Sequence, residues 1–302
     1  MNPTFVNLTD ATGALAVVAP RLGGWLLRYA RSLAPNGLVE ALHFDQAVVD
    51  RYPKEMWAGN PLLFPLVSHN RSGTRANTYT WAGREFPMPQ HGFARRMPWK
   101  VVEQTPALVT MEITDTPDLL ESYPFQFNHR LTYRLEAGRL HWRQAIENKG
   151  DEPMPFSTGF HPYFPVPLSS QGQRQSCYVD IPNCRRLTAQ GEFDRFEAGP
   201  FPARPWSVAH DVADTMFLTD LSRRDLSLVD PISRLRVVLN WEESPQYRFV
   251  ALWSRGTESP FYCLEPWTAL PNSFLRPAGE LIVLPPGQTF RAAMWLEVKP
   301  EV

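Results

Sequence analysis

The chain has 302 residues, 43% of them hydrophobic, and a formal net charge of −1. That length and apolar content allow a large buried core, and large all-β folds often exceed 200 residues as one unit. The near-zero charge and the lack of a basic run exclude broad capture by nucleic acid or a membrane surface.

Met1-Asn2-Pro3-Thr4-Phe5 lacks the charged-then-apolar layout of a signal peptide, and no stretch approaches the roughly 18 apolar residues of a membrane span. The expectation is a soluble, cytoplasmic protein. Cys177, Cys184 and Cys263 are an odd, sparse set, which argues for reduced thiols rather than a disulfide framework. Their spacing matches no zinc motif.

Thirty prolines and ten tryptophans fit sheets better than helices, because proline is hostile to helix interiors and tolerated at strand edges and turns. In chain order, Val109, Met111 and Ile113 alternate as a short strand. Phe127, His129, Leu131, Tyr133 and Leu135 alternate next, Glu136-Ala137-Gly138 turns, and Leu140, Trp142, Gln144 and Ile146 return, which predicts a hairpin. Leu226 and Leu228 lead to Asp230-Pro231, then Leu235, Val237, Leu239 and Trp241. Tyr247, Phe249, Ala251 and Trp253 precede Arg255-Gly256-Thr257, then Phe261, Cys263 and Glu265. Leu281 and Val283 lead to Pro285-Pro286-Gly287, with Phe290, Ala292, Met294, Leu296 and Val298 returning. Short strands and turns over nearly the whole length, without a linker or repeat, predict an all-β chain. One large antiparallel β-sandwich domain over 1–302 is the simplest account.

Seven histidines sort by context. His129 lies on an apolar face and reads as a core histidine. His141 shares a face with Arg139 and Arg143 and reads as solvated. His43, His69 and His210 have no distinguishing neighbours, and no His-x-His or His-Glu-x-x-His pattern points to a metal. His91 precedes Gly92, a residue that permits close backbone approach to a ligand or a sharp bend. His161 sits among aromatics in Phe160-His161-Pro162-Tyr163-Phe164. Alternation puts Glu265 on the side of Phe261 and Cys263. A carboxylate turned into such surroundings is either paired within the structure or kept for chemistry. Trp267 is a core residue or a stacking surface for a sugar. Arg71 is a loop arginine or a ligand contact.

Taken together, Pro61-Leu62-Leu63-Phe64-Pro65, Asn70-Arg71, His91-Gly92-Phe93-Ala94-Arg95, His161-Pro162-Tyr163-Phe164, Asp214-Thr215-Met216-Phe217 and Cys263-Leu264-Glu265-Pro266-Trp267 resemble the aldose 1-epimerase (mutarotase) family, in order, from about residue 10 to the C-terminus. The resemblance implies the antiparallel supersandwich of galactose mutarotase-like proteins and a small-molecule sugar substrate. It implies His161 as the acid that protonates the ring oxygen and Glu265 as the base for the anomeric hydroxyl. It also implies His91 as a histidine that holds and polarises the sugar, with Arg71, Asp214, Arg95 and Trp267 as further substrate contacts. Asp211 competes with Asp214 for one of these positions. Ring opening of a hemiacetal moves two protons and no electrons, so no cofactor or metal is expected.

The chain departs from the galactose-specific branch in two places. It has His91-Gly92-Phe93-Ala94-Arg95 where that branch usually carries His-Gly-Gly, and Phe160 where that branch usually has asparagine. The same variant is shared with less characterised aldose epimerases and with hexose-6-phosphate mutarotases, so a phosphosugar is the first alternative, with Arg71, Arg75, Arg95 and Arg96 as candidate phosphate contacts. In an extended strand Arg95 and Arg96 would point to opposite faces. A non-catalytic carbohydrate-binding protein is the second alternative. A glycoside hydrolase ranks lower, because it requires a second carboxylate.

Overall fold

The computed structural model describes residues 4–202, 204–210 and 212–301. Its strands pair antiparallel, and among the described residues most gather into two large sheets, beside a four-stranded sheet within residues 6–40 and three two-stranded ribbons. Among the described residues the larger sheet has nine strands. They run in space from Lys100–Thr105 through Leu108–Thr114, Phe127–Glu136, Arg139–Asn148, Thr289–Pro300, Leu235–Asn240, Asp225–Asp230 and Tyr178–Asp180 to Trp206–Ser207. The second has eight. Arg195–Pro200, Arg185–Gln190, Met216–Thr219, Phe249–Trp253, Phe261–Trp267, Gly159–Phe160 and Leu62–Leu63 follow in order, and Tyr163–Pro165 also pairs with Phe261–Trp267. Among the described residues no helix is long and apolar enough to cross a membrane.

The predicted hairpin forms as read. Phe127–Glu136 pairs with Arg139–Asn148 from Phe127↔Asn148 to Glu136↔Arg139. Ala137 and Gly138 both take positive φ, 51° and 80°, the backbone that a tight two-residue hairpin turn requires. The residues facing inward from this sheet, such as Leu131, Trp142, Leu239 and Leu296, meet Leu62, Leu218, Leu252 and Leu264 of the other in one core cluster.

The last predicted hairpin does not form. Ile282–Leu284 pairs with Met154–Phe156 in a separate ribbon, and Thr289–Pro300 runs between Arg139–Asn148 and Leu235–Asn240. Pro285 and Pro286 lack the N–H groups a hairpin ladder would use. The face is shifted too: Leu284 is buried, while Val283 is exposed.

Simple alternation also fails in the strands that matter most. All seven residues of Phe261–Trp267 are buried. Tyr262 and Leu264 face the main core, whereas Phe261, Cys263 and Trp267 belong to separate clusters on the other face. Val250 and Leu252 divide from Ala251 in the same way. The eight-stranded sheet therefore has a core face and a second covered face, and the second carries the polar residues.

His129 joins the two sheets. It is fully buried, with Phe64 and Trp99 edge-on at 4.8 and 5.1 Å. Its Nε2–H donates to Gln144 Oε1 at 3.0 Å. Thr158 Oγ1 donates to the same oxygen at 3.3 Å and to the Leu63 carbonyl at 2.9 Å, which ties the network to the eight-stranded sheet. Burial pushes the His129 imidazole down to about 3, against a smaller opposing effect of Gln144. A depressed histidine stabilises the fold above its unfolded value near 6.5, and that stability is lost as pH falls toward 3. His129→Gln should therefore remove up to about 1.4 kcal/mol per pH unit from the slope of unfolding free energy between pH 6.5 and 4. Urea titrations over that range measure it, and equal slopes would exclude His129 as a source.

Candidate active site

The second face of the eight-stranded sheet is built by register. Tyr163 pairs with Cys263 and Gly159 with Trp267, so His161 falls beside Glu265. Nε2 of His161 lies 3.3 Å from Glu265 Oε2. The imidazole stacks on Tyr163, with centroids 4.6 Å apart and planes 7° apart, and the Tyr163 hydroxyl is 3.5 Å from the same nitrogen. Trp253 meets the ring edge-on at 5.8 Å. Gly159 makes room for the floor, since a Cβ there would stand 2.5 Å from Trp267 Cδ1.

His91 enters from a bend. Its φ is 64°, its N–H donates to the Ser68 carbonyl at 2.5 Å, and its Nδ1 accepts the Ser68 N–H at 3.0 Å. That acceptor role places the hydrogen of the neutral ring on Nε2. The ring sits 5.5 Å from His161 and 6.0 Å from Trp267, edge-on to both. Gly92, with φ 71°, forms a parallel bridge with Phe64. The close approach expected of this glycine is thus to the protein's own backbone.

Ala94–Arg96 is a 3-10 turn rather than an extended strand. Arg95 and Arg96 consequently share one side, where an extended strand would have put them on opposite faces. Both donate to the Gln90 carbonyl at 3.2 Å, and Arg96 also to that of Gly92. Arg95 is buried.

Five expected residues converge on one cavity of about 430 Å³: His91, Arg95, His161, Glu265 and Trp267. Burial dominates its electrostatics. It holds His91 well below the usual histidine range, assisted by Arg95 and His161. It brings His161 down to about 3, again with help from Arg95. It pushes the Glu265 carboxyl well up, with Arg95 opposing. Arg95 itself falls to about 10 through burial and the neighbouring Arg96. Burial thus favours a proton on the carboxyl over one on the imidazole.

The aldose 1-epimerase family profile matches residues 8–297. The chain belongs to the aldose 1-epimerase family. Membership makes it an isomerase that interconverts the anomers of an aldose. The chain is 27% identical over 235 residues to the LacX protein encoded on the chromosome of Lactococcus lactis subsp. lactis, covering 72% of this chain and 77% of LacX. The Slr1438 protein of Synechocystis sp. PCC 6803 superposes with a TM-score of 0.83 at 25% identity, over 100% of this chain and 97% of the other. A galactose mutarotase related enzyme of Lactobacillus acidophilus gives 0.80 at 21% identity, over 98% and 97%, and shares the fold.

The epimerase leaves two expected contacts off the cavity. Arg71 turns to the 192–194 turn, where its guanidinium meets Asp194 at 2.6 Å and Glu192 at 3.4 Å, and it also donates to the Gly73 carbonyl. Asp214 is exposed, and the cavity wall at this point is Thr215, with φ 57°. Asp211 lies outside the described residues. Conversely, His69, Lys54, Thr215 and Trp253 line the epimerase cavity without having stood out in the sequence. His69 follows Ser68, whose φ of 55° turns the chain at that point, and alternation cannot foresee such a bend.

Gly92→Ala tests the frame of the site. Its Cβ would stand 2.1 Å from the Phe64 carbonyl oxygen, on a backbone that disfavours side chains. The expected cost is about 2 kcal/mol or more, seen as a lowered thermal midpoint. An unchanged midpoint would mean that the bridge to Phe64 is not a constraint.

Proposed function

We propose that His161 and Glu265 are the acid–base pair of mutarotation, and that the sugar sits over Trp267 with His91 donating to one of its oxygens. The observation that carries this is the 3.3 Å approach of His161 Nε2 to Glu265 Oε2 in the cavity wall. In the productive arrangement His161 is protonated and Glu265 ionised. Glu265 accepts the proton of the anomeric hydroxyl, the bond from C1 to the ring oxygen breaks, and that oxygen takes the proton of His161. The pair ends with the same single proton, now on Glu265. The free aldehyde turns and the steps reverse on its other face. Burial favours the proton on Glu265, so it assists ring opening, while the positive charge of Arg95 favours the ionised carboxylate needed to begin. Neutral His91 offers its Nε2–H as a donor. Arg71 and Asp214 take no part. The free thiols of Cys177, Cys184 and Cys263 fit work in the reducing cytoplasm.

Glu265→Gln and His161→Ala should each lower kcat by about 10²–10⁴-fold, measured by polarimetry on freshly dissolved α-glucose or α-galactose. Wild-type rates in either variant would remove that residue from the mechanism. Sugar binding without mutarotation in the wild type would support the binding-protein reading instead. Glu265→Gln should unfold at or above the wild-type temperature at neutral pH. The raised carboxyl contributes stability at low pH that is lost as pH rises through its folded value, and glutamine does not ionise.

The pH–rate profile follows from the same proton. Loss of the shared proton, controlled by the raised Glu265, sets the alkaline limb. A second proton on the pair, opposed by burial of His161 at about 3, sets an acid limb far below neutrality, with a flat region between. A limb centred near 6.5 would contradict a buried His161.

One observation favours a charged sugar. Arg95 and Arg96 donate to backbone carbonyls, and Lys54 stands at the same cavity. A buried guanidinium that forms no salt bridge among the described residues suits a ligand that brings a negative charge. Anomer exchange of glucose 6-phosphate against glucose, followed by NMR, decides this. A preference for glucose that persists in Arg95→Gln would discard the charged substrate.

A further inference from the structure

We infer that His161, Cys263 and Glu265 form a binding site for a thiophilic divalent cation of the zinc class, and that its occupancy switches the isomerase off. One ligand atom from each residue lies within 4.8 Å of the other two, and all three residues are buried. Imidazole nitrogen, sulfur and carboxylate oxygen are the donors zinc takes. Nothing in the linear sequence groups them, because His161 is far from the other two along the chain. The fold does so: Cys263 and Glu265 are two apart on one strand face, and the Tyr163↔Cys263 pairing delivers His161 beside them.

One further observation points to a ligand. The His161 Nε2 to Glu265 Oε2 separation is 3.3 Å, and metal bonds of 2.0–2.3 Å at tetrahedral angles set neighbouring donors about 3.3–3.8 Å apart. His161 and Glu265 also line the cavity, which leaves a fourth position for water. Arg95 opposes a bare cation here, but a thiolate and a carboxylate together neutralise the double charge. Binding passes the Cys263 thiol proton, and the proton of Glu265, to solvent. With Nε2 and the carboxylate both coordinated, the proton exchange of mutarotation has no acid and no base.

The loss of activity rests on the proposed role of His161 and Glu265, whereas metal binding does not, and the experiment separates them. Co²⁺ added to the protein should give a near-ultraviolet thiolate-to-cobalt charge-transfer band that excess Zn²⁺ removes. Zn²⁺ should inhibit mutarotation reversibly on addition of EDTA. Cys263→Ala, which removes no proton-transfer group, should keep its metal-free rate, lose the band, and need at least about tenfold more Zn²⁺ for the same inhibition. Cys263→Ser serves the same comparison if the alanine variant is poorly folded. A missing cobalt band, or equal zinc sensitivity in the wild type and the Cys263 variants, overturns the site. If the metal-free wild type does not mutarotate while the band appears, the metal site stands and the catalytic reading falls.

Discussion

Everything in the site depends on a strand with no solvent-facing side. Phe261–Trp267 gives Tyr262 and Leu264 to the main core and Phe261, Cys263, Glu265 and Trp267 to the other face. A carboxylate cannot be placed there cheaply. Removing a charge from water costs several kcal/mol after relaxation, so Glu265 holds its proton far more tightly than a surface glutamate. The same dryness drives His91 and His161 toward neutrality. A weak acid and a weak base become well matched to each other without either being exotic. Arg95 restrains the rise of Glu265 and adds to the fall of His161.

The positions of these groups rest on backbone contacts that leave little freedom. Gly92 lies against the Phe64 carbonyl, Gly159 against the Trp267 indole, and Ser68 grips both the N–H and the Nδ1 of His91. The His129–Gln144–Thr158 network fastens the opposite side of the catalytic sheet to its partner sheet. Side chains that must be held to within a few tenths of an ångström need such support, and sheet positions supply it better than loops.

Much of this was legible from residue order. Alternation in 127–135 and 140–146 gave the hairpin that forms as Phe127–Glu136 and Arg139–Asn148, because one face of each strand is buried and the other is wet. It failed in 281–283, where two prolines prevent the return, and it understated 261–267, where both faces are covered. His91, His161 and Glu265 stood out because their neighbours were unusual for their type. The positions of Arg95 and Arg96 did not follow, since residue order does not reveal the 3-10 turn that sets them. Arg71 and Asp214 were placed by motif order alone, and no linear pattern reveals that two carboxylates at 192 and 194 occupy the Arg71 guanidinium. His69 and Cys263 gained a context only through tertiary bends and strand register.

The cavity draws its parts from two sources with different mechanical character. The floor comes from register-locked strands, whereas Lys54, Phe193 and Thr215 reach the rim from connecting segments. Strand residues cannot drift without disturbing two sheets, but connecting segments tolerate replacement and changes in length. The molecule thus separates an inherited chemistry from an adjustable entrance. Descendants of such a chain can change the sugar they admit by editing the entrance, and the step performed inside stays the same.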